Sequence, residues 1–544
     1  MEGRKIMKRM KSRAWMGVVP LLLLSMLASA CSGNNSGTAS PTASTTSKPS
    51  ESAATTSATT ATTAATETAI DTSEPVKLKL VLLGAKPADM DEVYAEVNKI
   101  LKKKINAELE VRFLDWNEYG EKYPLLFAAN EDFDMIYTAD WAFYNQTASK
   151  DGFLALTEDM LKKYAPNTWE KENPIGWDQA KVNGNIYMVP HDSFVVGETV
   201  ALIRGDLREK YNLPEVKSQS DLANYLTTIA KNEKGMTAFS GPGTNLSGTG
   251  LPIFFSDMEM RFVNGSVPLV YDMNSEHPTL TNYLENPKTL EKLNMFYDMA
   301  QQGVWSKDAI VSKTDWRAAF KEGKTAADMH NVTTMAASMD SILRTHPEWK
   351  PELIDVNPTV HRFQSALISN GIGIHATSKN PERALMAIDL LRYDQELFDL
   401  TNYGIKGKHW EPVGDNKYKS LPASTGYPPE GACPWGWKTP LARQLEGVAG
   451  DKITEVYDKW KAENIIHSPF ETFALDDTNI KNELAALKNV QQTYLLPIYF
   501  GLVEPAKGLP EVMEKLKQAG MEKVRVEMQK QMDAFIEAKN KEAN

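Results

Sequence analysis

Three regimes of hydrophobic patterning follow one another along the chain. Trp15–Ala30 is apolar and uncharged, with Pro20 inside it, and it follows Arg4, Lys5, Lys8, Arg9, Lys11 and Arg13. A basic start followed by a short apolar run is the pattern of a signal peptide. The run is shorter than the roughly 20 residues that span a bilayer. Residues 32–73 are dominated by Ser, Thr, Ala and Gly and hold almost no large apolar side chain. Such a stretch cannot bury enough surface to offset its ordering entropy, so a disordered tether is expected. From Val76 onward the periodicities of a folded body begin.

"VKLKLVLLG" (76–84) alternates and then turns continuously apolar, as a strand entering a buried sheet does. Residues 89–106 have helical periodicity, with an acidic first turn and a basic last turn that suit the macrodipole. A strand over 107–116, a helix over 118–131 interrupted at Pro124, and a third strand over 133–141 complete a β-α-β-α-β order. Open α/β sheets bind ligands at the carboxyl ends of their strands, where this chain places polar and aromatic residues. Further on, Asn183-Gly184 predicts a hairpin turn within 182–192. A strand runs into a helix over 198–214, and helices are expected over 222–235, 289–304 and 316–324. Another strand opens at 325, and 364–400 reads as strand, turn and helix with Pro381 and Glu382 in the helix's first turn. There is no internal repeat.

Charge and cysteine content narrow the possibilities. The formal charge is −11, which argues against nucleic acid as a partner and against attraction to an anionic leaflet. The two cysteines, Cys31 and Cys433, provide no disulfide framework, and a body of roughly 470 residues buries enough core without one. Chemistry-bearing motifs are weak. "GPGTNLSGTG" (241–250) lacks the Lys-Ser/Thr pair of a phosphate loop, and Ser247 lacks the flanks of a nucleophile elbow. The eight histidines show no metal-ligand spacing. Carboxylate pairs such as Asp132/Asp134 and Asp476/Asp477 do not single out an acid and a base. Arg204-Gly205-Asp206 reads as a strand-to-helix junction. No catalytic residue, metal site or cofactor is expected.

Leu27-Ala28-Ser29-Ala30-Cys31 resembles the lipobox of bacterial lipoproteins, although Ala28 stands where a large aliphatic residue is usual. The resemblance implies cleavage before Cys31 and lipid on its thiol; an ordinary secretory signal with a chance cysteine is the alternative. In the body, "DMIYTADWAFYNQTASKDGFLALTEDM", "GKTAADMHNVTTM", "ISNGIGIHATSKNPERALMAIDLL" and the final "LPIYFGLVEPAKGLPEVMEKLKQAGMEKVRVEMQKQMDAFI" resemble, in this order, the solute-binding lipoproteins of bacterial carbohydrate ABC importers. The subgroup is one with a poorly characterised C-terminal domain, and the resemblance covers nearly all of 76–540.

It implies a two-lobe periplasmic-binding-protein-like α/β fold of type II, with lobes joined by hinge strands and a ligand cleft between them. The expected divisions are signal peptide 1–30 and tether 31–74. Lobe one would take 75–200 with a return near 326–367, lobe two 201–325 with about 375–480, and a helical segment 481–544 would pack on a lobe. Crossings are expected near Val200–Arg204, Thr325–His330 and Ile368–Ile374. The implied partners are an oligosaccharide, an ABC permease, and the membrane through lipid on Cys31, on the extracellular face of a Gram-positive cell, for a monomer. A tether of roughly 40 residues would reach about 35 Å as a coil. The rival readings are a surface-anchored carbohydrate-active enzyme and a peptide-binding lipoprotein.

A sugar site needs aromatic faces with polar neighbours, and all but one of the twelve tryptophans lie in the body. Past strand ends come Trp116, Asn117 and Glu118, then Asp140 and Trp141, with Tyr144 one turn on. Asn117 is alternatively a helix cap, and Trp141 alternatively covers a core. His191 and Asp192 follow the hairpin, His330 and Asn331 end a strand, and Asn370 sits in a turn. Trp305 follows a helix end. Tyr403, Lys408, His409 and Trp410 share a glycine-bearing loop. Trp435 and Trp437 are two apart, so in an extended segment they would share a face, as a stacking platform or as a plug beside Cys433.

Overall fold

The computed structural model describes residues 70–242, 251–263, 267–463 and 465–542. The signal, the tether, Cys31 and Ser247 lie outside them. Eight strands form the two sheets that organise the body: β1 Val76–Leu83, β2 Ala107–Leu114, β3 Met135–Thr138, β4 Val189–Pro190, β5 Thr199–Arg204, β6 Ala327–Asn331, β7 Pro351–Ile354 and β8 Gly371–Ile374. The first sheet runs β2-β1-β3-β8-β4, with β2, β1 and β3 parallel and β8 antiparallel to both its neighbours. The continuous apolar run of β1 is explained by burial from both faces, with Leu78, Leu80, Val81, Leu82 and Leu83 all in the core. Helix Met90–Ile105 packs Val93, Val97 and Leu101 onto the sheet, and helix Pro381–Tyr393 adds Leu385, Ile388 and Leu391.

The second sheet is β6-β5-β7, antiparallel throughout. Strand alternation splits its side chains between two cores. Ala201, Ile203, Ala327 and Met329 face one that also holds the C-terminal helices, through Leu484, Leu487, Ile498, Leu516 and Met528. Val200, Leu202 and Leu353 face the other, under helix Val332–Thr345 and Trp460. The C-terminal helices therefore share a core with the second sheet. The Asn-Gly turn forms as expected, with Asn183 and Gly184 both at positive φ between short antiparallel strands.

The return segments differ from expectation. Residues 326–367, expected in the first lobe, supply β6 and β7 to the second sheet. Residues from β8 to helix Pro381–Tyr393, expected largely in the second lobe, build the first. The strand signals at Val200–Arg204, Thr325–His330 and Ile368–Ile374 are real, but they mark sheet strands, not crossings. Segments 189–196, 363–366 and 437–441 are among those that carry the chain between the first core and the others. These links pair by isolated contacts: a bridge between Val196 and Gln364, Ser365 N–H to Val195 O at 2.9 Å, and Asp192 N–H to Lys438 O at 2.8 Å. Isolated bridges leave no periodic trace in the sequence.

Arg392 lies beneath the first link, and neither it nor its partner Glu172 has any side-chain exposure. Its guanidinium donates to Glu172 and to the Pro190 carbonyl, while its own carbonyl accepts from Thr439 Oγ1 at 3.1 Å. At the far end of β1, Arg383 donates to the carbonyls of Asp71, Glu74, Ile105 and Asn106, which pins the chain where it enters the sheet.

Removing one partner of a buried pair strands the other charge. Arg392→Met is therefore expected to lower stability by about 3–5 kcal/mol in urea unfolding. Arg392→Met combined with Glu172→Leu should recover much of the loss.

Candidate functional site

The carboxyl ends of β2 and β3 and the turn Pro434–Trp437 bring three indoles together. Trp116 stacks on Trp435 at 5.9 Å and 25°, and Trp141 lies 6.4 Å from Trp116 at 33°. Tyr119 stands edge-on to Trp116 and Trp141, and Tyr137 packs on Trp141 and Trp435. Trp116 and Trp141 remain 44% and 47% exposed, which is unusual for side chains whose rings already touch several others.

Backbone features hold this platform. Trp116 lies across Gly84 at the end of β1; a Cβ there would stand 3.2 Å from the indole Nε1, and the residue has φ +108°. The Trp141 Nε1 donates to Ser369 O at 2.8 Å, and Asp140 N–H donates to Ile368 O at 2.9 Å. Tyr137 Oη donates to Asn370 Oδ1 at 2.6 Å, so Asn370 belongs to the platform's support. Gly436 lies so close to β8 that a Cβ would meet Gly371 O at 2.9 Å.

Polar groups rim the indoles. Asn117 turns its amide to Asp115 Oδ1 at 3.0 Å, and does not cap the following helix. Asp140 is exposed by surface area yet surrounded by protein, as befits a group on a cleft wall. Its carboxyl is pushed up to about 6, chiefly by desolvation, while Trp141 N–H and the charge of Arg261 pull the other way. Indole faces beside carboxylate and amide groups can stack on the apolar face of a ring and hydrogen-bond its edge.

Residues 85–394 match the family of bacterial extracellular solute-binding proteins. The chain belongs to this family. A domain of unknown function is matched over 469–537. The chain is 28% identical over 470 residues to a carbohydrate ABC transporter substrate-binding protein of Streptococcus pneumoniae serotype 4, covering 85% of this chain and 91% of that one. Among solved structures, the N-glycan transport solute-binding protein NgtS of S. pneumoniae with Man1GlcNAc superposes with a TM-score of 0.71 at 25% identity, over 85% of this chain and 100% of that one. NgtS with Man5GlcNAc gives 0.69 at 26%, over 86% and 99%. The architecture is the two-lobe fold of solute-binding proteins.

In this solute-binding protein, the other expected site residues lie elsewhere. Tyr144 is fully buried and donates to Ala180 O within the first core. Trp305 fills the second lobe and donates to Phe500 O at 3.1 Å. Trp437 is buried and donates to Thr401 Oγ1; the tight 3₁₀ turn at Pro434–Trp437 rotates it away from Trp435, so the two do not share a face. Tyr403 and Trp410 pack on each other in the third core, and Trp410 donates to Gly404 O. His409 is buried, accepting from Ile405 N–H and meeting Asp89 Oδ2 at 3.0 Å; neighbouring Lys408 pairs with Asp89 and Glu92. Asn331 caps helix Val332–Thr345 through Thr334 N–H, and Glu118 pairs with Lys122. His330 is held neutral beneath Arg317 by burial, with a pKa lowered to about 3.

His191 and Asp192 belong to the first link. The His191 ring meets Ser193 Oγ at 2.8 Å and Ser369 Oγ at 3.1 Å. Burial, then Arg392 and Lys438, lower its pKa to about 3. Asp192 is half-buried beside Lys438, and burial raises its carboxyl. Tyr119 and Tyr137 were not expected in the platform. Tyr119 could have been found from its place beside Trp116, Asn117 and Glu118; Tyr137 sits inside a strand that reads as core.

An unfolded histidine takes up a proton near 6.5, whereas His191 does so only near 3. The unfolded state thus binds more protons between these values, and this residue's share of stability is lost as pH falls from 6.5 toward 3. Asp140 and Glu172, lifted to about 6 and 7, act in the opposite sense. The contribution of His191 is therefore a difference: His191→Gln should lose less melting temperature than wild type between pH 7 and pH 4.

Proposed function

We propose that the protein captures an oligosaccharide between its lobes and delivers it to an ABC import permease. The Trp116–Trp141–Trp435 platform is the observation that carries this reading. Exposed, mutually braced indoles next to Asp140 suit a pyranose, and the matched relatives are named as carbohydrate and N-glycan binding proteins. A ligand bridging the lobes shifts them toward closure only by its differential affinity for the closed state. The relatives are named as binding proteins, which favours capture without turnover. Among the described residues no helix is long and apolar enough to cross a membrane. Attachment through lipid on Cys31, after removal of residues 1–30, would leave 31–74 as the tether of a monomeric extracellular receptor.

A thermal-shift screen of the 70–544 body against neutral oligosaccharides and peptides tests the ligand class. Sugars, beginning with Man1GlcNAc and Man5GlcNAc, should raise the melting temperature as RT ln(1 + [L]/Kd); stabilisation by peptides alone would overturn the sugar reading. Trp141→Ala should weaken sugar binding by at least about tenfold, 1.4 kcal/mol, with little change in unfolding, because the ring is half-exposed. Growth with a clickable fatty acid should label the wild type but not Cys31→Ala.

A further inference from the structure

The platform belongs to the first lobe, and a ligand that closes the molecule needs a partner on the second. Strand Met260–Phe262, antiparallel to Leu269–Asp272, presents Arg261 there. The guanidinium lies 5.6 Å from the Phe363 ring centroid, and Nη1 donates to Glu198 Oε1 at 3.3 Å. Glu198 and Phe363 border the first two links between the lobes. Gly197 stands against Ser365, and four residues on, Ser369 holds the Trp141 indole. Arg261 thus sits at the hinge end of the second lobe, and its charge pulls downward on the Asp140 carboxyl.

Its bonding to the described residues is sparse. Among the described residues, Arg261 makes one hydrogen bond, long and not bidentate, and its side chain is 46% exposed. Arg443, by contrast, uses Nε, Nη1 and Nη2 on Asp399 and the Asp415 carbonyl. A guanidinium has five N–H donors, and among the described residues only one of those on Arg261 has a protein acceptor. Phe363 lies beside the fork, and Glu198 holds it loosely.

We infer that Arg261 is the second lobe's ligand-binding residue, exchanging its bond to Glu198 for hydroxyls of a sugar seated on the indole platform as the lobes close. This rests on the sugar-capture reading. The first lobe supplies stacking and the acceptor Asp140; the second supplies donors. Each half alone binds weakly, and only a ligand touching both favours closure.

The test uses the full chain, with Man5GlcNAc binding followed by calorimetry and closure by small-angle X-ray scattering. Wild type should bind and contract. Arg261→Met should lose roughly 20-fold or more in affinity and fail to contract at saturating sugar, with an unchanged melting temperature without ligand. Arg261→Lys should fall between, since an ammonium lacks the planar fork. If Arg261→Met binds and contracts like wild type, the assignment is wrong while the sugar reading stands. If wild type itself binds no sugar while Arg261→Met is equally stable, the reading fails and takes the assignment with it.

Discussion

A fully buried ion pair underlies the junction of the lobes. Taking Arg392 and Glu172 out of water costs several kcal/mol per ion before their attraction is counted. The return is positional. One guanidinium fixes the Pro190 carbonyl at the end of the first sheet and, through its own carbonyl, the Thr439 side chain at the third link. Two of these connections therefore start from one rigid point. The same charge, with burial, keeps His191 neutral, so the imidazole serves as a hydrogen-bonding strut between Ser193 and Ser369 and carries no charge at the pivot. Beyond that point the pairing between the links thins to single bridges.

The site extends from that point. Ser369 receives His191 on one side and, through its carbonyl, the Trp141 indole on the other. The platform is consequently an extension of the hinge's first-lobe side. Trp116 and Trp435 complete it because Gly84 leaves room under the Trp116 indole and Gly436 lets the Trp435 turn press against β8. The aromatic surface is braced ring against ring and carried by one lobe. The sparsely bonded charge is carried by the other.

Much of the first lobe was legible, because its strands are long, apolar and followed by helices with matched end charges. The exposure of Trp116 and Trp141 was legible for the same reason: a tryptophan directly after a buried strand has few ways to be covered. Trp305, Trp410 and Trp437 carry the same composition signal but sit in loops that fold back, and each indole N–H finds an acceptor inside its own core. Nothing local separates the two groups; the difference lies in what packs above them. Assignment of 326–367 to the wrong lobe has a similar origin. β6 and β7 read correctly as strands, but periodicity does not say which sheet a strand joins. Arg261, one arginine in a three-residue strand, matters only because of Glu198, Phe363 and Asp140, all remote in sequence.

The anchoring of the chain's entry by Arg383 has a mechanical consequence. Four carbonyls around residues 71–74 and 105–106 are tied to one buried guanidinium at the amino end of β1, eight residues from the indoles at its other end. That separation is about 26 Å at the usual rise per residue. Tension applied to the N-terminal segment would load β1 and β2 in shear, against eight registered residue pairs, before any of it reached the links between the lobes. Under the proposed attachment through the N-terminal segment, such a load would fall on this strand pair first.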